Sequence, residues 1–547
     1  MDVLKGLSMD MPLLLSVINE HGAASNGRCE VVSREFSGEV VRFTFRQMNA
    51  RTKQLANALK KRGLGLGSRA TTIAWNTHRH MELFYGLTGM GAAIHTANPR
   101  LANDQLTFVV NSGKGEILFF DQDILPQVEA IAPDLKHVKT FVVLERRETM
   151  PASASLTLEC YEDWLSAETT AFEWPEFDER TAATICFTSG TTGLPKGVVY
   201  SHRNAFLQTM TLCSLAWMPV PERNPLVLMP LAPMFHSSAW NVPFGAFYIG
   251  RKLVLPGRDL SSRAIQEMIA SERVTNVALV PSILANLIEY SEQTGKSLEP
   301  LEALISAGGG LSPALISKLQ DQYNMKTGHN WGMTECMFGT TGILSAPQLD
   351  LPKEERIAYQ CTDGRQTPGF VFKIVDDDGN PLPHDGETRG HLRFRGLWAT
   401  RSYLDMEVGS AVDRDGWLIT GDIATIDPDG YMCLVDRAKD LIKSGGEWIS
   451  SIDLEKIAAS HPDVSMAAAI SVPHPKWQER PVMVVVKVPG SKLTEQELLD
   501  YMKPKMAKWW VPDGVIFVDS MPLTGSNKVR KNELREEYRD FLTGSQA

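Results

Sequence analysis

The sequence predicts an α/β protein. Its larger N-terminal part is built on parallel sheet, followed by a small antiparallel β element and a compact α+β unit at the C-terminus. Three observations carry this. From about residue 40 to residue 306, short β-branched runs alternate with stretches of helical length, the rhythm of βαβ units. After about residue 365 the strands become closely spaced and are joined by turn residues. The chain is 547 residues long, enough for more than one core.

Taken in order, 40–43 reads as a strand, and Thr44 with Gln47 makes a capping box for the helix that follows. That helix repeats Met48, Leu55, Ala56 and Leu59 on one face and ends at Gly63-Leu64-Gly65. Strands follow at 70–74, 92–96, 116–120 and 140–144, separated by helices at 79–88, 104–111 and 123–132. The rhythm resumes with strands at 226–229, 252–255, 276–280 and 303–306. Next, 372–375 and 391–394 read as a hairpin with an Asp378-Gly379 turn, joined by short strands at 416–419 and 431–435. The charged stretch 436–440 marks a boundary, giving domains 1–437 and 438–547. The second holds segments at 454–459, 467–472, 482–488 and 495–502, and its 110 residues suffice for a separate domain.

Composition sets limits on function. The chain is 43% hydrophobic and 22% charged, with mean hydropathy −0.15, as in an ordinary globular protein. A net charge of −10 and a pI near 5.7 provide no basic footprint for nucleic acid as a general partner. Seven scattered cysteines without a CxxC pair predict reduced thiols and no metal cage. Residues 1–17 carry acids at positions 2 and 10 and only a short apolar run, which suits neither a secretory signal nor a membrane span. A cytoplasmic protein is expected.

The densest chemical signal lies at 184–204. An apolar run stops at Thr188-Ser189-Gly190-Thr191-Thr192-Gly193, passes through Leu194-Pro195-Lys196-Gly197, and enters a second β-branched run at 198–200. Strand, polar loop and strand are the direct reading. Such a loop can turn many backbone N–H groups toward one point, a cradle for phosphate oxygens to which Lys196 adds a point charge. The order differs from the GxxxxGK[ST] of P-loop NTPases. Taken alone, the loop also fits a plain surface turn.

Four further segments are equally ambiguous singly. Met229-Pro230-Leu231-Ala232-Pro233-Met234-Phe235-His236 sets a histidine after a proline-stiffened apolar stretch. Ala307-Gly308-Gly309-Gly310 is a glycine run, His329-Asn330-Trp331-Gly332-Met333-Thr334-Glu335 a mixed polar–aromatic loop, and Trp417 to Asp422 a strand ending in Thr-Gly-Asp. Later come the charged stretch 436–450 and Pro522 to Lys531. In this order, and at these separations, the segments resemble those of the adenylate-forming enzymes: acyl-CoA synthetases, firefly luciferase and peptide-synthetase adenylation domains.

The resemblance implies two parallel-sheet subdomains and a small antiparallel one in the N-terminal domain, followed by a mobile C-terminal domain. It implies that Thr188 to Gly193 and Lys196 hold the β- and γ-phosphates of ATP. Gly308, Gly309 and Gly310 form the adenine wall, with Asn330, Gly332 and Met333 beside it. Trp331, where the family usually has Tyr, stacks on the base. Thr334 meets the α-phosphate, Glu335 ligates Mg2+, and Asp422 and Arg437 reach the ribose. His236, Trp240, Gly308, Trp331 and Met333 bound the acyl pocket. Lys439 is the hinge, and Lys443, Gly445, Gly446, Glu447 and Trp448 serve the thioester step.

Lys528 is the implied catalytic lysine, although Asn527 replaces the usual glycine before it and Lys531 competes for the role. Its removal is expected to cost about 3–4 kcal/mol in the first step and to spare the second.

In the implied reaction a carboxylate attacks the α-phosphate of ATP, releasing pyrophosphate, and a thiol then displaces AMP. CoA is the expected acceptor. The stretches 73–82 and 89–101 resemble a clade of short- and medium-chain fatty acyl-CoA ligases and bacterial 3-methylmercaptopropionate-CoA ligases, often homodimers. Within the same chemistry a medium-chain or aryl acid is the alternative. A non-catalytic nucleotide-binding relative is the other alternative, against which Lys528, Glu335 and Asp422 are all retained.

Overall fold

A computed structural model describes the chain apart from residues 1–3, 5, 189–193, 215–224, 446, 524–528, 543 and 545–547, and apart from the side chain of Glu447. The chain packs as two units. One comprises Met1–Thr188, Pro195–Phe370 and Arg395–Val412; the other comprises Ser189–Leu194, Val371–Phe394 and Asp413–Ala547. The position 437/438, marked by charge in the sequence, falls inside the second of these.

The first unit holds two seven-stranded sheets, as the alternating rhythm implies. One runs in the order Lys326–Asn330, Ala303–Ala307, Asn276–Leu279, Val227–Pro230, Lys252–Leu255, Glu30–Arg34, Val40–Thr44. Its neighbours are parallel except for the last pair. The other runs Leu158–Cys160, Thr140–Val143, Ile117–Phe120, Arg69–Ile73, Ala93–Thr96, Ala182–Phe187, Gly197–Ser201. Here too only the final pair is antiparallel. Strands such as Ile117–Phe120 and Asn276–Leu279 are buried at every residue, because helices cover both faces of a parallel sheet. The capping box forms as read: Gln47 N donates to Thr44 Oγ1 at 3.2 Å and Thr44 N to Gln47 Oε1 at 2.8 Å.

Two side chains register these sheets against each other. Asn76 follows a strand of the second sheet; its Nδ2 donates to Pro230 O (3.0 Å) and Ala232 O (2.9 Å), and its Oδ1 accepts from Met234 N (2.6 Å). Arg79, 4% exposed, pairs with Glu35, Glu145 and Glu162 at 3.1, 3.8 and 2.7 Å. Buried charges persist only when so compensated.

The second unit contains an antiparallel sheet in the order Phe370–Val375, Gly390–Gly396, Leu418–Ile426, Met432–Arg437, whose first two strands straddle the division. The expected Asp378-Gly379 turn forms, with Gly379 at φ 90°, but it closes on Pro381 through a bridge to Val375. Eight residues (382–389) then pass before Gly390, so the two strands pair across a longer loop than the two-residue turn predicts. The C-terminal sheet orders Glu447–Ile449, Ile442–Ser444, Gln478–Lys487, Val464–His474, with Val515–Phe517 added in parallel to Gln478–Lys487. All seven cysteines are free thiols. Among the described residues no helix is long and apolar enough to cross a membrane.

One buried acid gives the first unit a pH dependence. Asp121 accepts from Trp75 N at 2.6 Å, and burial pushes its pKa up to about 7. The protonated form is favoured in the folded chain, so this contribution is complete below the unfolded value of 3.8 and is lost as pH rises to about 7. Urea titrations across pH 4–8 should show wild-type stability falling relative to Asp121→Asn by on the order of 4 kcal/mol.

Candidate active site

The polar loops converge at the carboxyl ends of parallel strands, where open α/β sheets place their ligands. The loop at 188–196 is closed at its neck by Thr188 N donating to Lys196 O (2.9 Å) and Lys196 N donating to Thr188 Oγ1 (3.0 Å). The Lys196 ammonium lies 4.7 Å from the centre of the Tyr403 ring, and the Tyr403 hydroxyl donates to Glu335 Oε1 at 2.7 Å. Glu335 is 6% exposed, and its own carbonyl accepts from Thr400 N at 2.8 Å. The Tyr200 hydroxyl, on the strand leaving the loop, donates to the Thr334 carbonyl. Leu404 N donates to Gly197 O at 2.8 Å. Three chain segments are therefore stitched into one polar edge. Tyr403 and Tyr200 carry the stitching; Tyr200 ends the 198–200 run of the loop motif without a role read for it, and no sequence motif marks Tyr403.

Asn330 and Ala307 are partners in register, so the Trp331 loop and the glycine run leave adjacent strand ends. Gly308 to Gly310 are exposed, with Gly308 at φ 83°. A Cβ on Gly308 would meet only Val280 at 3.7 Å, and on Gly309 only Pro281 at 3.5 Å. The protein's own packing does not exclude a side chain at Gly309, so the open surface is available to a flat ligand. Gly332 differs: a Cβ there would lie 2.0 Å from Met337 O. Trp331 is buried at 5% exposure, Met333 half-buried. Ser306 Oγ, His329 Nδ1 and Asn330 Nδ2 are buried on these same two strand ends without hydrogen-bond partners among the described residues. Buried polar atoms left this way call for a ligand or water.

A single carboxylate, Glu335, beside hydroxyls also suits Mg2+, which takes few protein ligands and keeps phosphate and water oxygens. Among the described residues no group of three or more His, Cys, Asp or Glu could cage a metal.

His236 ends the segment that Asn76 grips. Thr96 Oγ1 adds a bond to Phe235 O at 3.0 Å, and the Phe235 ring packs edge-on to Trp75 at 6.0 Å. Beyond His236 the backbone does something the sequence does not announce. Ser237, Ser238, Ala239, Trp240 and Asn241 all sit in the left-handed region, with φ 48°, 51°, 50°, 55° and 60°. For such residues this costs about 1–2 kcal/mol each. The turn is held by Asn241 Nδ2 donating to Ala205 O (3.2 Å) and Gln208 Oε1 (2.8 Å), and by Ala239 N donating to Pro233 O (3.2 Å). Five consecutive left-handed residues in one turn beside a candidate site point to function. It fixes Trp240, 8% exposed.

In the second unit, Asp422 and Arg437 stand opposite each other in register and pair at 2.9 Å, with Asp422 buried and Arg437 half-exposed. The strand does not end at Thr-Gly-Asp as read from the sequence: Gly421, at φ 74°, lies inside Leu418–Ile426 beside register shifts to both neighbouring strands, just before the carboxylate. Lys439 is exposed; partial desolvation and the Arg437, Arg535 and Lys531 cations lower its pKa. Lys443 is exposed on Ile442–Ser444, 5.8 Å from the Trp448 ring. Ser189, Gly190, Thr191, Thr192, Gly193, Gly446, Lys528 and the side chain of Glu447 lie outside the described residues. Lys531, the competitor for the catalytic role, is committed elsewhere. Its ammonium, 13% exposed, pairs with Glu455 Oε1 at 2.6 Å and donates to Ser451 Oγ at 2.7 Å.

A family model described as AMP-binding enzyme matches residues 20–404, and one described as AMP-binding enzyme C-terminal domain matches 453–528. The chain is 44% identical to a 3-methylmercaptopropionyl-CoA ligase of Ruegeria lacuscaerulensis, covering 98% of this chain and 100% of that one. It is 40% identical to a medium-chain-fatty-acid–CoA ligase of Ectopseudomonas oleovorans, with coverages of 99% and 98%. Its fold matches an anthranilate CoA ligase crystallised with anthranoyl-AMP, with TM-score 0.83 at 22% identity over 99% of this chain and 100% of that one. ATP-bound MatB from Rhodopseudomonas palustris gives 0.80 at 24% identity over 97% and 100%.

If Lys531 is structural, Lys531→Ala should leave the half-buried Glu455 without its counter-ion and destabilise the protein by about 1–3 kcal/mol. Chemical denaturation measures this; a variant of unchanged stability would return Lys531 to contention for the chemistry.

Proposed function

The chain belongs to the AMP-binding enzyme family, whose model matches most of its length, and from that premise we propose that it activates a short carboxylic acid, 3-methylmercaptopropionate, as its CoA thioester. The protein is an AMP-forming acyl-CoA ligase that uses ATP and CoA. In the first step a carboxylate oxygen bonds to the α-phosphorus and the bond to the leaving pyrophosphate breaks. In the second, the CoA sulfur bonds to the acyl carbon, AMP leaves with the bonding pair, and the thiol proton passes to solvent. The observation that carries the reading is the polar edge joining Lys196, Tyr403 and Glu335 beside the unsatisfied strand ends at Ser306, His329 and Asn330.

The roles follow from charge. Attack of one anion on another needs positioned donors more than covalent chemistry. Thr188 to Gly193 and Lys196 take the phosphates that leave. Thr334 holds the α-phosphate, Lys528 neutralises charge in the first step, and Asp422 with Arg437 holds the ribose. Gly308 to Gly310, Asn330, Trp331, Gly332 and Met333 receive the base. Glu335 holds Mg2+, which neutralises phosphate charge when bound. Lys439 serves as hinge for residues 438–547, and Lys443, Gly445, Gly446, Glu447 and Trp448 serve the thioester step.

The acid is the finer part of the proposal. The rigid left-handed turn and buried Trp240, with His236 at its start and with Trp331 and Met333 also bounding the pocket, support a short pocket. The similarity to a medium-chain ligase keeps that substrate as the alternative. The reading includes a cytoplasmic homodimer.

Pyrophosphate release over a panel of acids, with and without CoA, tests the reading. Methylmercaptopropionate should give the highest kcat/KM. A clear preference for octanoate would move the assignment to the medium-chain class, and no acid-dependent pyrophosphate would refute the ligase.

A further inference from the structure

The second seven-stranded sheet has a crevice that the loop at 188–196 does not use. The chain lays down Arg69–Ile73, then Ala93–Thr96 on one side of it, then Ile117–Phe120 on the other. The strand order therefore reverses between Arg69–Ile73 and Ile117–Phe120. Open α/β sheets bind ligands outside the carboxyl ends of the strands at such a reversal. The 188–196 loop leaves Ala182–Phe187, two places along the sheet from Arg69–Ile73. Trp75 spans the reversal. Its N donates to Asp121 Oδ2 at 2.6 Å and its Nε1 to Asp123 Oδ2 at 3.2 Å, while Asp121 N donates to Ile73 O at 3.2 Å.

An arginine from each sheet flanks this indole. Arg100 follows Ala93–Thr96, in a turn fixed by Arg100 N donating to Asn98 Oδ1 at 2.9 Å. Its side chain is exposed, and its guanidinium lies 5.6 Å from the Trp75 ring centre. Among the described residues that guanidinium has no carboxylate or carbonyl acceptor; partial desolvation lowers its pKa with no acid to offset it. Arg258 comes from the first sheet, past Lys252–Leu255, where Gly257 N donates to Asn76 O at 3.0 Å. It pairs with Asp123 Oδ2 at 3.1 Å and lies 5.4 Å from the ring centre of Phe36, itself 47% exposed. Arg258 thereby balances Asp123, and burial pushes the pKa of Asp121 up to about 7, so Arg100 is a cation in excess. Arg79 shows the contrasting structural use, its charge spent on three carboxylates. An arginine held on a fixed ring with its fork unused is arranged for phosphate.

The crevice adjoins the candidate acyl site, because the Trp75 ring packs edge-on to Phe235, the residue before His236, at 6.0 Å. We propose that Trp75, Arg100, Arg258 and Phe36 form a second nucleotide site, which takes the phosphorylated adenosine end of CoA, with the arginines on its phosphates and the exposed Phe36 ring against its base. The inference rests on the ligase reading. A molecule anchored here has its flexible thiol arm beside the His236 segment, where the acyl carbon is expected. Holding the remote end adds binding energy without touching the reacting atoms, so it acts on KM for CoA rather than on kcat.

Arg100→Ala removes the free cation, Arg100→Lys keeps the charge without the fork, and Phe36→Ala removes the exposed ring. KM for CoA should rise roughly tenfold in Arg100→Ala and severalfold in Phe36→Ala, with kcat within about twofold, and Arg100→Lys should fall between wild type and Arg100→Ala. Acid-dependent pyrophosphate release without CoA should stay within about twofold of wild type in all three. Adenosine 3′,5′-bisphosphate has the phosphates and base but no thiol arm. With ATP present to fill the first site, calorimetry should show it binding Arg100→Ala roughly tenfold more weakly than wild type. An unchanged KM for CoA in both alanine variants, an equal loss in the pyrophosphate step, or unchanged affinity for the bisphosphate would each overturn the site. Absence of acid-dependent pyrophosphate in the wild type would instead refute the ligase reading, with bisphosphate affinity still deciding the site.

Discussion

Like charges repel, and the chemistry assigned to this chain brings a carboxylate onto a triphosphate. At 4 Å two unit charges oppose each other by about 1 kcal/mol in water and about 4 kcal/mol at a protein surface, and a triphosphate carries several. The architecture answers by collecting donors and cations at the carboxyl ends of parallel strands. Lys196, Tyr403 and Glu335 form a continuous chain there, with Tyr200 tying the Thr334 backbone to the same edge. Tyr403 is the junction: its ring faces the cation and its hydroxyl orients the carboxylate.

Such an edge works only if its parts hold still. Asn76 makes three hydrogen bonds across the two sheets, and Arg79 balances three carboxylates behind it, so the His236 segment is fixed at its root. The left-handed run 237–241 is the costliest local feature of the unit, and the bonds from Asn241 and Ala239 are what the fold supplies to retain it. In the second unit Asp422 is held by Arg437. Buried arginine does the holding at Arg79, where its fork satisfies several acceptors at once.

Much of this was legible in the sequence. Alternating β-branched and amphipathic runs located most strands of both parallel sheets to within a residue or two, because buried parallel strands are continuous apolar runs, but Glu30–Arg34, Leu158–Cys160 and Lys326–Asn330 were missed. Thr44 with Gln47 read directly as a cap. What stayed hidden has one physical origin, contact between residues far apart in the chain. Tyr403 lies 68 residues from Glu335, and Asn76 lies 158 from Met234. No local pattern encodes either. The left-handed turn was invisible for a different reason: Ser-Ser-Ala-Trp-Asn contains no glycine, so tertiary bonds override local preference. The resemblance put Lys528 first and Lys531 as its competitor, and the structure gives Lys531 an ion pair with Glu455 that no local pattern announces.

The central claim is that bond formation occurs at the α-phosphorus through an acyl-adenylate. It is tested most directly by running the reaction with a carboxylic acid labelled in both oxygens with 18O and analysing the nucleotide by mass spectrometry. The account predicts one 18O in AMP for each thioester formed, with unlabelled pyrophosphate. Label in inorganic phosphate, with ADP as the nucleotide product, would place the attack at the γ-phosphorus and contradict it.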